Sequence, residues 1–220
     1  MKISKLELIA IIIVFFVGFH FYNQHKLESD IAGEEHLATL FYDIEKPPVI
    51  VAFGDSLTYG TGARYGGVDM SYPAQLSKLI GVEVINEGVP GETAQKGIAR
   101  LQKVLKQYRP VILILCEGGN DMLRSRKLAD LKKDLKEMID MAIHSGSKVI
   151  LLGVPEPKQL FLRDAKLYGE LADETGVIYL KNIFSDVLSD NSLTKDPAHP
   201  NAKGYAIIAK RIAETIRGGI

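Results

Sequence analysis

The sequence has a single cysteine and no excess of charge of either sign. With one thiol, Cys116, no intramolecular disulfide can form, and its position inside the apolar run VILILC is typical of a buried strand. The 27 basic residues are balanced by 27 acidic ones. A nucleic-acid-binding protein needs a basic face to neutralise phosphates, so the composition argues against nucleic acid as a partner.

Motifs of cofactor and metal sites are also missing. Ser56 does not lie in a G-x-S-x-G elbow, because Thr58 takes the place of the second glycine. The run GTGARYG at 60–66 misses G-x-G-x-x-G by one position and does not directly follow a predicted strand. No Walker A loop, H-E-x-x-H or C-x-x-C is present. The sequence therefore predicts no nucleotide, cofactor or metal site.

Residues 1–22 differ in composition from the rest of the chain. Lys2 and Lys5 precede an apolar run at 6–22 that is just long enough to span a bilayer. The lysines before the run predict that the N-terminus stays in the cytoplasm while the rest of the chain crosses. We therefore expect a hydrophobic helix that anchors the protein in the inner membrane, with the remainder on the periplasmic side. A cleaved signal peptide, leaving a secreted or periplasmic protein, and a buried core helix are the alternatives.

The rest of the chain has the pattern of one α/β domain. Residues 23–46 are interpreted as a charge-rich linker, and the prolines at 47–48 begin a domain predicted at 47–220. Strands that are apolar on both faces and alternate with helices predict a five-stranded parallel sheet between two helical layers, a three-layer α/β/α sandwich. The strands are predicted at 49–53, 82–86, 111–116, 148–153 and 177–180, and the helices at 72–80, 92–108, 128–146, 164–176 and 201–219.

Polar segments follow three of these strands and precede the last helix. GDS follows the first strand, EGVPGETA the second and EGGND the third, and DPAHPN comes before the closing helix. The carboxyl ends of parallel strands meet at one edge of a sheet, where ligands bind, so these segments are expected to converge there.

The segments contain the parts of a serine nucleophile. A serine hydroxyl is weakly nucleophilic unless a base lies within hydrogen-bond reach and a third group holds that base. Of the five histidines, His199 alone lies in an irregular polar segment, between Pro197 and Pro200, which stiffen it. Asp196 precedes it by three residues, a spacing that lets the carboxylate meet one imidazole nitrogen and leaves the other for Ser56.

Acyl transfer also needs hydrogen-bond donors for the negative charge that develops on a carbonyl oxygen. The candidates are the backbone N–H groups of Ser56 and Gly91 and the side-chain amide of Asn120. Each motif alone has a structural explanation: GDS as a helix cap, GGND as a turn, and DPAHPN as a loop in which Asn201 caps the last helix. Their joint occurrence at one sheet edge is what favours catalysis.

Four segments resemble the blocks of the GDSL, or SGNH, hydrolases. The segment at 84–124 is similar to the bacterial periplasmic branch of acyl-CoA thioesterases, lysophospholipases and arylesterases. The resemblance implies a flavodoxin-like fold, with Ser56 as nucleophile, His199 as base and Asp196 as its orienting acid. It also implies an oxyanion hole formed by Ser56, Gly91 and Asn120. The four blocks are GDSL at 54–57, the glycine of PGET at 91, GGND at 118–121 and DPAHPN at 196–201.

The expected function is hydrolysis of an ester or thioester through an acyl-enzyme, as in an esterase, lysophospholipase or acyl-thioesterase. The substrate would be a small acyl ester, a thioester or a lysophospholipid, and no cofactor is needed. Phe161 and Leu162, in the loop at 155–164, are candidates for lining the acyl pocket. An acyltransferase or deacetylase acting on an envelope polysaccharide, and a catalytically silent anchored binding module, stay open as alternatives.

Overall fold

The computed structural model describes residues 48–65, 68–157 and 162–219. The predicted anchor at 1–22, the linker at 23–46 and Phe161 lie outside the described residues. Within the described ranges, every helix is too short or too polar to cross a bilayer. The described residues up to Thr215 belong to one compact unit, which contains the whole central sheet.

Strands and helices alternate along the chain, as the apolar pattern predicts. A short 3₁₀ helix also lies at Asn191–Leu193. In chain order the elements are β1 (Ile50–Gly54), α1 (Ser56–Tyr59), β2 (Arg64–Tyr65), β3 (Val68–Asp69), α2 (Tyr72–Ile80), β4 (Val84–Gly88), α3 (Ala94–Tyr108), β5 (Ile112–Cys116), α4 (Gly119–Leu123), α5 (Leu128–His144), β6 (Lys148–Leu152), α6 (Lys166–Thr175), β7 (Ile178–Leu180), α7 (Ile183–Leu188), β8 (Thr194–Asp196), β9 (His199–Pro200) and α8 (Ala202–Arg217).

Five strands form the central sheet in the order β4-β1-β5-β6-β7, and all neighbouring pairs are parallel. The predicted five-stranded parallel sheet is therefore confirmed. Numbered along the chain, the order is 2-1-3-4-5, that of flavodoxin-like doubly wound sheets. Every residue of β1 and β5 is buried, because strands in the middle of such a sheet are covered on both faces.

The direction of each crossover decides which face a helix covers. The connection from β1 to β4 runs one way along the sheet, and the three later connections run the other way. Because crossovers between parallel strands are right-handed, α2 covers one face and α3, α5 and α6 cover the other. On that second face α3 packs against α5, and α5 packs against α6. On the first face Gln75 of α2 donates to the Ala202 carbonyl at the start of α8, 3.0 Å away.

The carboxyl ends of three adjacent strands stop at the same level. Gly54 of β1 pairs with Gly88 of β4 on one side and with Cys116 of β5 on the other. A Cβ on Gly54 would lie 2.1 Å from the Cys116 carbonyl oxygen, so only glycine allows this close approach. The segments that follow these strands therefore start side by side.

The observed bounds differ from the predicted ones at a few places. Strand β4 covers Val84–Gly88 rather than 82–86, because Gly81 ends α2 with φ +69° and residues 82–83 form the turn after it. The sequence did not predict α1, α4 or α7, nor the β2–β3 and β8–β9 pairs. All of these elements have at most six residues, too few to show a hydrophobic period.

Candidate active site

Ser56 lies at the sharp turn where β1 leads into α1. The N-cap of that helix is Asp55, whose Oδ1 accepts a hydrogen bond from the Leu57 N–H at 2.9 Å. Ser56 is the first residue of α1, so its own N–H has no acceptor within the helix. Capping therefore belongs to Asp55, and both the hydroxyl and the N–H of Ser56 are left for other partners.

Asp196 and His199 come from a tight turn between β8 and β9. The Asp196 Oδ1 accepts hydrogen bonds from the backbone N–H groups of Ala198 at 2.9 Å and His199 at 3.0 Å. The same carboxylate is 2.9 and 3.0 Å from Nδ1 of the His199 ring. The other ring nitrogen, Nε2, lies 3.0 Å from Ser56 Oγ. The turn thus orients both the backbone and the ring of His199 with one side chain.

The charge of Asp196 suits this arrangement. Burial by itself raises the pKa of Asp196, but the hydrogen bonds from the Ala198 N–H and the His199 ring outweigh it and hold the pKa below its ordinary value. The carboxylate is therefore ionised at neutral pH. It can stabilise positive charge on the imidazole whenever that ring takes up a proton.

Gly91 lies in a turn that leaves its N–H unused. The Glu92 N–H donates to the Val89 carbonyl at 3.1 Å, Pro90 occupies the second position, and Gly91 has φ +79°. This is the arrangement of a type II turn, which favours glycine at its third position. Among the described residues, the Gly91 N–H has no acceptor within hydrogen-bond reach. On the outer side, Arg124 donates to the Gly91 carbonyl at 2.9 Å.

Asn120 lies on the short helix α4, which follows β5. Its Nδ2 donates to Asp55 Oδ2 at 3.0 Å, and Gly119 allows this approach, since a Cβ there would lie 3.1 Å from the same oxygen. A primary amide has two N–H donors, so one stays available for a ligand.

Asp55 was not among the residues predicted from the sequence. It is 2% exposed, and its two carboxylate oxygens hold the helix of Ser56 and the amide of Asn120. Burial raises the pKa of Asp55 to about 6, against the opposing effects of the Leu57 hydrogen bond, the His199 charge and the Asn120 hydrogen bond. The signal in the sequence was an acidic residue directly after a fully apolar strand.

These groups line one cavity of about 840 Å³. The structure brings together at its wall the residues singled out from the sequence as catalytic or as oxyanion donors: Ser56, Gly91, Asn120, Asp196 and His199. Among the described residues, no group of three or more His, Cys, Asp or Glu side chains is arranged to hold a metal ion. The remaining wall is mostly apolar and includes Pro90, Leu123, Val154, Pro155, Leu162 and Leu188. Of the two predicted pocket residues, Leu162 is thus at the cavity, and Phe161 is not described.

Comparisons with known proteins agree on one family. The GDSL-like lipase/acylhydrolase family matches residues 52–207. Esterase TesA of Pseudomonas aeruginosa is 32% identical over 113 residues, 49% of this chain, and the match spans 55% of that protein's length. Thioesterase 1/protease 1/lysophospholipase L1 of Escherichia coli K12 is 26% identical over 188 residues, 82% of this chain and 89% of that protein. The crystal structure of AlinE4, an SGNH-hydrolase family esterase, is 28% identical with a TM-score of 0.58, covering 79% of this chain and 97% of that one.

Proposed function

Because the chain belongs to the GDSL-like lipase/acylhydrolase family, a family of ester hydrolases, we propose that it cleaves acyl esters or thioesters with Ser56 as nucleophile. Family membership confirms the expectation of an ester hydrolase. The observation that carries the proposed mechanism is the 3.0 Å contact between His199 Nε2 and Ser56 Oγ. The 2.9 Å contact between His199 Nδ1 and Asp196 supports it from the other side of the ring.

In the first half of the reaction, Ser56 Oγ attacks the acyl carbon and its proton passes to His199 Nε2. Negative charge moves to the former carbonyl oxygen, which the N–H groups of Ser56 and Gly91 and the Asn120 amide stabilise. Asp196 holds the imidazole in the tautomer with Nδ1–H and stabilises the imidazolium. The intermediate then collapses, and the alcohol or thiol leaves with the proton from His199.

In the second half, water attacks the acyl-enzyme and gives one proton to His199. A second oxyanion forms at the same three donors. Its collapse releases the carboxylic acid, and Ser56 Oγ recovers its proton from His199. The site is unchanged at the end of the cycle, so the proposed reaction consumes only the substrate and water and needs no cofactor.

The substrate class follows from the cavity and from the named relatives. An apolar wall next to the polar groups suits an acyl chain whose carbonyl lies at Ser56. The relatives include a protein named esterase and one named thioesterase and lysophospholipase. Small acyl esters, thioesters and lysophospholipids are therefore the substrates to test.

The decisive experiment is Ser56→Ala with a p-nitrophenyl acyl ester. We expect kcat to fall by a factor on the order of 10⁴ or more, since the nucleophile is lost. Ser145→Ala is the matched control: its hydroxyl donates to the Ala142 carbonyl at the end of α5, away from the cavity, and activity should persist. Normal turnover by Ser56→Ala would refute the mechanism. Adding a saccharide acceptor and measuring both products separates hydrolysis from acyl transfer.

We also infer that residues 1–22 anchor the protein in the inner membrane with the catalytic domain on the periplasmic side. The support is the apolar run at 6–22 and the two lysines that precede it. Such an anchor would hold the enzyme near acyl lipids of the envelope.

A further inference from the structure

Arg100, on the second turn of α3, lies beneath the turn at 89–92. Its side chain is 21% exposed, and its guanidinium carbon lies 3.7 Å from the ring centroid of Phe53 in β1. The Arg100 Nε donates to both carboxylate oxygens of Glu92, at 3.1 and 2.9 Å, and Nη2 donates to the same carboxylate. Glu92 is the last residue of the turn that contains Gly91, so the guanidinium is tied to one end of that turn.

The same guanidinium also binds the two strands that lead into the site. Nη1 donates to the Glu87 carbonyl at 2.9 Å and to the Glu87 carboxylate at 3.3 Å, and Nη2 donates to the Gly54 carbonyl at 3.3 Å. Gly54 ends β1, two residues before Ser56, and Glu87 lies in β4 just before the turn. One planar group therefore contacts the β1 end and both sides of the Gly91 turn.

We propose that Arg100 is a positioning residue of the oxyanion hole, which fixes the Gly91 N–H relative to the Ser56 N–H through its bonds to Gly54, Glu87 and Glu92. The inference rests on the proposed function, in which these two N–H groups stabilise the oxyanion. Donors stabilise a transition state only when they are already placed where the charge develops. A displacement of about 1 Å at such a site can cost about 10²-fold in rate.

Lysine at this position is the informative change. Arg100→Lys keeps a positive charge for Glu92 but lacks the planar fork that reaches two carbonyls and two carboxylates together. We expect kcat to fall about tenfold to a hundredfold. KM should change little, because the apolar wall that receives the acyl chain is untouched.

The matched control is Arg211→Lys. Arg211 on α8 also bridges two carbonyls, of Lys181 and Asn182, and one carboxylate, of Asp186, but these residues do not line the cavity. Arg211→Lys loses fewer bonds, but they are of the same kinds, so it measures the structural cost of replacing a bridging guanidinium outside the cavity. Its kcat should equal that of the wild type.

The assay combines p-nitrophenyl butyrate turnover with titration of active sites by a fluorophosphonate, which labels a nucleophilic serine. Expressing kcat per labelled site removes any loss caused by unfolded protein. Affinity for a phenylboronic acid, which mimics the tetrahedral intermediate, should fall in parallel with kcat for Arg100→Lys. Glu92→Gln, which leaves Arg100 in place but weakens its bonds to the turn, should show a smaller loss in the same direction.

Two outcomes overturn the inference in distinguishable ways. If the fluorophosphonate does not label Ser56 in the wild type, the proposed function is refuted. The role of Arg100, which depends on that function, is then refuted as well. If the wild type is labelled but Arg100→Lys has an unchanged kcat per labelled site and an unchanged boronate affinity, only the role of Arg100 is refuted. In the second case the guanidinium only stabilises the fold, as Arg211 does.

Discussion

Replacing Glu117 by glutamine is expected to make the protein progressively more stable than the wild type as the pH rises. Glu117 directly follows β5, and its side chain is fully buried at 0% exposure. No donor among the described residues reaches either carboxyl oxygen, but the protonated carboxyl can donate a hydrogen bond to the Glu92 carboxylate. Burial, followed by the negative charges of Asp55 and Glu92, raises the pKa of Glu117 well above its ordinary value. The folded protein therefore keeps a proton that the unfolded chain releases.

The size of the effect follows from this difference in proton binding. Below the pKa of an unfolded glutamate, about 4.3, both states carry the proton and pH has no effect through this group. Above it, only the folded state keeps the proton. The contribution of Glu117 to the free energy of unfolding of the wild type then falls by about 1.4 kcal/mol per pH unit until the raised pKa is reached. Glutamine does not ionise, so Glu117→Gln lacks this loss.

Urea unfolding at pH 5, 6, 7 and 8 measures the difference between variant and wild type. The advantage of Glu117→Gln should grow with pH by about 1.4 kcal/mol per unit from pH 5 upward, until the raised pKa is reached. Glu214→Gln is the control, because the Glu214 side chain is 60% exposed. The difference in free energy of unfolding between Glu214→Gln and the wild type should be the same at every pH. A difference for Glu117→Gln that is flat or shrinks with pH would show that this carboxyl is ionised in the folded protein.

Two further predictions concern the cap beside the nucleophile and the N-terminal segment. Asp55→Asn should lower kcat about tenfold to a hundredfold. The asparagine side chain has one acceptor oxygen where aspartate has two, so its NH₂ group would face a donor, either the Leu57 N–H or the Asn120 amide. Stopped-flow assays with a p-nitrophenyl ester measure this, and an unchanged kcat contradicts the role given to Asp55. The full chain should stay with inner membranes after a carbonate wash, and a variant lacking residues 1–25 should be released. A shortened, soluble product from the full chain would indicate a cleaved signal instead.

Much of the fold could be predicted because its signals are local. The runs around Ile50, Ile112 and Ile150 are apolar without alternation, and only strands covered on both faces have that pattern. Strand β4 was predicted two residues early, since its apolar residues extend backward into the turn after Gly81. The shortest helices escaped prediction because their bounds depend on backbone conformations such as φ +111° at Gly118.

The residue types of the site and the expected contacts of His199 with Asp196 and Ser56 could be predicted, but the bonds made by Asp55 could not. The predicted site residues each follow a strand or precede a helix at the carboxyl edge of the predicted sheet. They are Ser56, Gly91, Asn120, Asp196 and His199. Their catalytic roles stay a proposal that Ser56→Ala tests. The bond between Asn120 and Asp55 could not be foreseen, because nothing near either residue indicates the other.

The sequence by itself determined the kinds of chemistry that the chain carries and their order along it. It placed a serine, a glycine turn, an asparagine and an Asp-x-x-His segment after strands whose apolar runs specify a parallel sheet. Only the tertiary structure decided which atoms meet: His199 reaches Ser56 across 143 positions, and Asn120 reaches Asp55 across 65. Contacts at such separations depend on strand register and crossover hand, which arise when the whole sheet packs and are not encoded in any local pattern.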